Sequence, residues 1–152
     1  MSNHSSYDSP EEADAVHATP REMFQRMQRE WFGRPAELTG DDLAEDVVVE
    51  IPFAPPGLPA RIEGRQRFLE FVNPQRAGFP VRFDDCRVTA VHDTADPGTI
   101  VVEYELTGTS VKTDRRSTAA FVGVLTVRDG KISLWREYQN TLAVLQALGS
   151  EA

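Results

Sequence analysis

The run Thr99-Ile100-Val101-Val102-Glu103-Tyr104-Glu105-Leu106-Thr107 constrains this chain more than any other segment. Side chains on a β-strand alternate between its two faces. Ile100, Val102, Tyr104 and Leu106 therefore share one face, and Val101, Glu103, Glu105 and Thr107 share the other. One face is apolar and the other mostly polar. That pattern belongs to an antiparallel strand with one side on a core and one in water, and it predicts that Tyr104 points inward.

The segments around this strand read as a meander. "FPVRFDDCRVTAVHD" precedes it as one strand, and "STAAFVGVLTVRDGKISLWREYQN" follows as a hairpin turning at Asp129-Gly130, a dipeptide suited to a tight turn. "TLAVLQALG" then closes as a short helix stopped by Gly149. Helices precede the meander. In "TPREMFQRMQREWFG", Thr19 is a candidate cap, Pro20 takes the first helical position and Glu22 follows three residues after the cap. Met23, Met27 and Trp31 recur at helical spacing beside Phe24, so one stripe is apolar. Gly33 and Pro35 end it. Met27 and Trp31 read either as ordinary core or as a pocket wall.

Between Leu38 and Val72 the pattern predicts a short helical turn, a strand, a proline-rich loop and a second helix from Glu63 to Val72. Val47, Val49, Ile51 and Phe53 fall on one strand face. Pro52, Pro55, Pro56 and Pro59 stop the sheet and stiffen the loop. Helices first and long antiparallel strands after imply an α+β fold, with helices packed on one face of a curved sheet. Residues 1–19 lack apolar periodicity and read as a mobile tail, leaving 20–152 as a single domain.

Composition narrows the function classes. A net charge of -8 disfavours nucleic acid, whose phosphates need clustered Lys and Arg. No apolar run approaches the length of a membrane span. The N-terminus has neither the basic start nor the apolar middle of a secretory signal, and Cys86 has no partner for a disulfide. The expected setting is the cytoplasm. Several chemistries lack their residues. There is no glycine-rich phosphate loop and no nucleophile elbow. His92, with Asp93 and Asp96 in a polar turn, does not make a metal site. The adjacent pairs Glu45-Asp46 and Asp84-Asp85 read as solvated turn charge. No metal and no organic cofactor is expected.

Glu137 remains. Its strand places Lys131, Ser133, Trp135, Glu137 and Gln139 on one face, and Ile132, Leu134, Arg136, Tyr138 and Asn140 on the other. Neither face is purely polar, so periodicity leaves open whether Glu137 faces water or the interior.

The segment from "GVLTVRDGKISLWREYQN" to "LQALG" resembles the C-terminal signature of SnoaL-like proteins, which have the nuclear-transport-factor-like cone fold. Limonene epoxide hydrolases end similarly, and "LAEDVVVEIPFAPP" resembles their first strand and following loop. The phenazine-biosynthesis A/B proteins are similar in the ending from Arg136 through Gly149 and in the strand from Asp96 to Glu103. The resemblance implies a cone-shaped α+β barrel, with helices on a curved, mostly antiparallel sheet enclosing a pocket. It implies that Glu137 faces that pocket and Arg136 the opposite side. Tyr104, Leu106, Val49 and Ile51 stand where the epoxide hydrolases carry an arginine, an aspartate, a tyrosine and an asparagine. The water-positioning set is replaced by an apolar wall, which disfavours hydrolysis.

The expected pocket is lined by Met27, Trp31, Val49, Ile51, Phe53, Leu106, Phe121 and Trp135. Burial there would raise the carboxyl pKa of Glu137 and suit it to general acid/base catalysis near neutrality. Tyr104 reads either as a core tyrosine with a satisfied hydroxyl or as a donor to a developing oxyanion. The expected reaction is isomerisation, cyclisation (including epoxide opening) or condensation of a small hydrophobic or aromatic molecule. A non-catalytic ligand carrier is the alternative. Val122, Val124, Leu134 and Tyr138 on the outer face predict a homodimer.

Overall fold

The computed structural model describes residues 17–32 and 37–149. Most of the expected N-terminal tail, the helix stop at Gly33 and Pro35, and residues 150–152 lie outside the described residues.

Helix α1 spans Pro20–Trp31. The Thr19 hydroxyl accepts the Glu22 N–H at 3.2 Å, and Pro20 fills a position where no backbone donor is required. Met23 and Phe24 are buried against the sheet. The chain continues through β1 (Leu43–Glu50), β2 (Arg61–Glu63), α2 (Arg65–Ala77), β3 (Val81–Asp93), β4 (Thr99–Ser110), β5 (Arg116–Arg128), β6 (Lys131–Gln139) and α3 (Thr141–Ala147).

The six strands form one sheet in the order β2-β1-β6-β5-β4-β3. Every neighbouring pair is antiparallel except β1 with β6. The edge strands β2 and β3 do not meet, so the sheet stays open and the architecture is a cone-shaped α+β fold rather than a closed barrel. Register shifts between Phe83 and Asp85, and between Val88 and Ala90, put bulges into β3, and bulges bend a strand. The β5–β6 hairpin turns through Asp129 and Gly130, both at positive φ, as the dipeptide predicts.

The alternation in β4 holds. Ile100, Val102, Tyr104 and Leu106 are all buried, with Val47, Val49, Phe121, Leu125 and Ile132 beside them. Several details differ from expectation, among them α2, which begins at Arg65 and runs past Val72 to Ala77. Residues 41–42 form a plain turn, not a helical one, and Leu43 already begins β1. The proline loop folds back to add β2, pairing Val49 with Ile62, a three-residue strand too short to show a period. The acidic pairs lie in strands: Glu45-Asp46 in β1 and Asp84-Asp85 at a bulge of β3. Asp84 accepts from the Thr109 hydroxyl at 2.5 Å and from Arg82 Nε at 3.1 Å, which hold its pKa below the usual carboxylate range. No described helix is long and apolar enough to cross a membrane.

Candidate active site

The candidate site is built on the inner face of β4, β5 and β6, under α3. Glu137 lies opposite Gly123 across the β5–β6 ladder, so no β5 side chain stands directly over it. Gly123 is required by its neighbour. A Cβ there would sit 2.3 Å from the Trp135 ring, which fills the space over this position.

The Tyr104 hydroxyl donates to Glu137 Oε2. Tyr104 is only 1% exposed. Its ring stacks on Trp31 at 5.4 Å and on Phe121 at 5.4 Å with planes only 9° apart, and it meets Phe24 at 5.5 Å. Glu137 keeps some accessible surface, and that surface opens onto a cavity of about 200 Å³ whose wall includes Phe83, Leu106, Phe121, Gln139 and Val144. Every buried side-chain polar atom among the described residues has a partner. Among the described residues the second oxygen of Glu137 has no hydrogen-bond donor, so it is the one open to the cavity.

Burial pushes the Glu137 carboxyl up from its ordinary value of 4.5, and the Tyr104 hydrogen bond opposes that rise. No cation enters the balance. Desolvation raises the Tyr104 phenol well above its ordinary value, with the adjacent Glu137 charge adding to it. Burial also raises the Cys86 thiol, which accepts from Gln28 Nε2 at 3.4 Å. Arg136 points the other way. Its Nε donates to Glu50 Oε2 at 2.8 Å, and Arg61 holds the other Glu50 oxygen at 2.6 Å, forming a chain of charge on the outer face.

The residues expected to line one pocket fall into two groups. Leu106, Phe121 and Glu137 line the first cavity. Met27, Trp31, Val49 and Trp135 line a second one of about 160 Å³, with Glu30, Asp42 and Arg76 also in its wall. Tyr104 lines neither. It stacks on Trp31 of one cavity and Phe121 of the other, so the aromatic group stands between them. Ile51 and Phe53 do not line either cavity, which corrects the expected pocket wall. β1 ends at Glu50, Pro52 begins a turn closed by the Ala54 N–H to the Ile51 carbonyl at 2.9 Å, and strand alternation no longer applies. Phe53 is 57% exposed, with its ring 5.7 Å from Tyr138 on the outer face.

Sequence reasoning missed other parts of the first cavity. Phe79 and Phe83 stack on each other at 5.8 Å, and α3 contributes Val144, Ala147 and Leu148. Gln139 was visible only as the residue two places beyond Glu137 on the same strand face. Among the described residues, no group of three His, Cys, Asp or Glu side chains is placed to hold a metal ion, and His92 is paired with Glu103 at 2.7 Å.

The family model described as the SnoaL-like domain matches residues 21–135. An uncharacterized PhzA/B-like protein of Pseudomonas aeruginosa is 34% identical over 102 residues, covering 67% of this chain and 70% of that protein. Among solved structures, a Bacillus subtilis protein provisionally named an isomerase superposes with a TM-score of 0.69 at 25% identity, over 88% of this chain and 98% of its own. A Pseudomonas putida protein provisionally named a polyketide cyclase gives a TM-score of 0.61 at 18% identity, over 86% and 98%, a likeness of fold alone. The matched segment runs from the first turn of α1 to Trp135, through β4 with Tyr104 and up to two residues short of Glu137, and the chain belongs to the SnoaL-like domain family.

Proposed function

We propose that this chain is a small-molecule enzyme of secondary metabolism in which Glu137 is the general acid/base. The reaction is isomerisation, cyclisation or condensation of a hydrophobic substrate. The observation that carries this reading is a carboxyl in an apolar cavity, held through one oxygen by Tyr104 and open through the other. Burial raises its pKa above the ordinary 4.5 and so makes it a better proton acceptor than a free carboxylate, and general acid/base catalysis of this kind is worth roughly 10²- to 10⁴-fold in rate. Structural relatives provisionally named isomerase and polyketide cyclase are consistent with this class of reaction.

Cavity size limits the substrate. About 200 Å³ is below the roughly 300–1,000 Å³ of sites for drug-sized ligands and somewhat above the ~150 Å³ that admits benzene. A single-ring compound fits. An apolar wall at Phe83, Leu106, Phe121 and Val144 holds water poorly, which favours proton transfer within the substrate over hydrolysis.

The test uses acetophenone as a generic carbon acid. Wild type is expected to accelerate exchange of its α-protons in deuterated water, followed by NMR. Glu137→Gln, which keeps the shape, should still bind acetophenone and lose the acceleration. Equal acceleration by the variant would overturn the acid/base assignment. Binding without exchange by wild type would favour the non-catalytic carrier.

The same reading includes a homodimer through the outer sheet face. Val122 pairs with Tyr138 there, and Val124 lies opposite Arg136. A second copy is the proposed cover for that surface.

A further inference from the structure

We infer that Gln139 is the specificity residue of this site, a hydrogen-bond donor that selects substrates carrying a carbonyl oxygen beside the carbon that exchanges a proton with Glu137. The inference rests on the acid/base reading of Glu137 and extends it to the substrate's second functional group.

Proton removal from carbon leaves charge that must be placed somewhere. When the proton moves from the α-carbon to the Glu137 carboxylate, the electron pair of the broken C–H bond moves into the enolate and the charge settles on its oxygen. A donor aimed at that oxygen lowers the barrier. Tyr104 is the obvious candidate, but its only hydroxyl proton goes to Glu137, and its side chain does not reach the first cavity's wall. The donor has to come from elsewhere on the inner face.

Gln139 meets the geometric requirements. It lies two residues from Glu137 on the same strand, so the two side chains project from one face with Cα atoms about 6.8 Å apart. Both line the first cavity. Its Cα partner is Phe121, whose ring forms the floor beside Leu106. Among the described residues the Gln139 amide makes no side-chain hydrogen bond, whereas Asn140, the next residue, is committed to capping α3 through the Ala143 N–H at 3.1 Å. Ser117 also lines the cavity, but it lies six residues along β5 from Gly123, the Cα partner of Glu137, about 20 Å at strand rise. That distance is too far to share one small carbonyl compound with Glu137. A half-buried amide without an internal partner on a cavity wall is best matched by an oxygen of the ligand. A hydrocarbon in its place would leave the amide desolvated and unpaired, which is how a polar site rejects the wrong ligand.

The experiment compares two probes of one shape, acetophenone and ethylbenzene, by NMR titration of the full chain. Wild type should bind acetophenone roughly tenfold tighter, the scale of one hydrogen bond. In Gln139→Leu, and in Gln139→Met should the leucine disturb folding, the two probes should bind equally, with affinity for ethylbenzene kept or improved. A preference for the ketone that survives in both variants would overturn the assignment of Gln139 while leaving the cavity and Glu137 untouched. Equal binding of both probes by wild type would do the same. A wild type that binds neither probe would remove the ligand cavity itself, and this inference with it.

Discussion

Tyr104 on β4 donates its hydroxyl to Glu137 on β6, although β5 runs between them. The bond crosses the inner face where β5 carries Gly123, the Cα partner of Glu137. Two strands that share no ladder are thus tied by one buried polar contact. It fixes one oxygen of Glu137, and among the described residues the other has no hydrogen-bond donor.

Tyr104→Phe keeps the ring and its stacking on Trp31 and Phe121 but removes the hydroxyl. The hydrogen bond holds the Glu137 pKa down against burial. Its loss should move that pKa further up, seen by carbon-detected NMR titration of the carboxyl. Stability should fall by about 1–2 kcal/mol in urea unfolding. A pKa that stays in place would show that the hydroxyl does not govern the carboxyl.

Glu137 also makes stability depend on pH. The folded state raises its pKa above the ordinary 4.5, so the folded chain binds this proton more tightly than the unfolded chain. The contribution is full below 4.5 and is lost as pH rises through the folded value. Urea midpoints of wild type should therefore decline across that window relative to Glu137→Gln, which has no proton to lose. Parallel curves for the two proteins would contradict the burial of this carboxyl.

Asp96 has the opposite sign. Hydrogen bonds from Arg128, the Gly98 N–H and Thr99 lower its pKa from 3.8 to about 2. Its stabilisation of the β3–β4 turn is present above 3.8 and lost as pH falls through about 2. Asp96→Asn should lower the melting temperature at neutral pH and narrow the gap to wild type in strong acid. A gap that widens in acid would rule this out.

Gly123→Ala tests close packing at the site. The added Cβ meets the Trp135 ring at 2.3 Å, well inside contact distance. Overpacking of this kind costs about 1–3 kcal/mol, read from denaturant unfolding. The second cavity, which Trp135 also lines, should change shape as the indole shifts. A variant as stable as wild type would mean that the indole moves aside freely.

Sedimentation checks the dimer. A monomer at micromolar concentration would contradict the proposed cover of the outer face, whereas Val124→Asp should convert a wild-type dimer to monomer.

Local pattern determined much of this protein by itself. The strict alternation from Ile100 to Leu106 fixed the inward direction of Tyr104, because a strand's period of two leaves no other choice once one face is apolar. Thr19 and Pro20 fixed the start of α1, and Asp129-Gly130 fixed the hairpin, because capping groups and left-handed backbone are short-range requirements. Glu137 was different. Both faces of its strand carry mixed side chains, so the residue pattern alone could not orient it, and only the resemblance to the family pointed it inward. Tertiary structure decided the rest. Which neighbours crowd the carboxyl depends on contacts between β4, β5, β6 and α3, residues far apart in the chain. The split of the expected pocket by the Tyr104 aromatic group, the exclusion of Ile51 and Phe53 where β1 ends, and the placing of Gln139 beside Glu137 are all products of packing in three dimensions, which no one-dimensional period encodes.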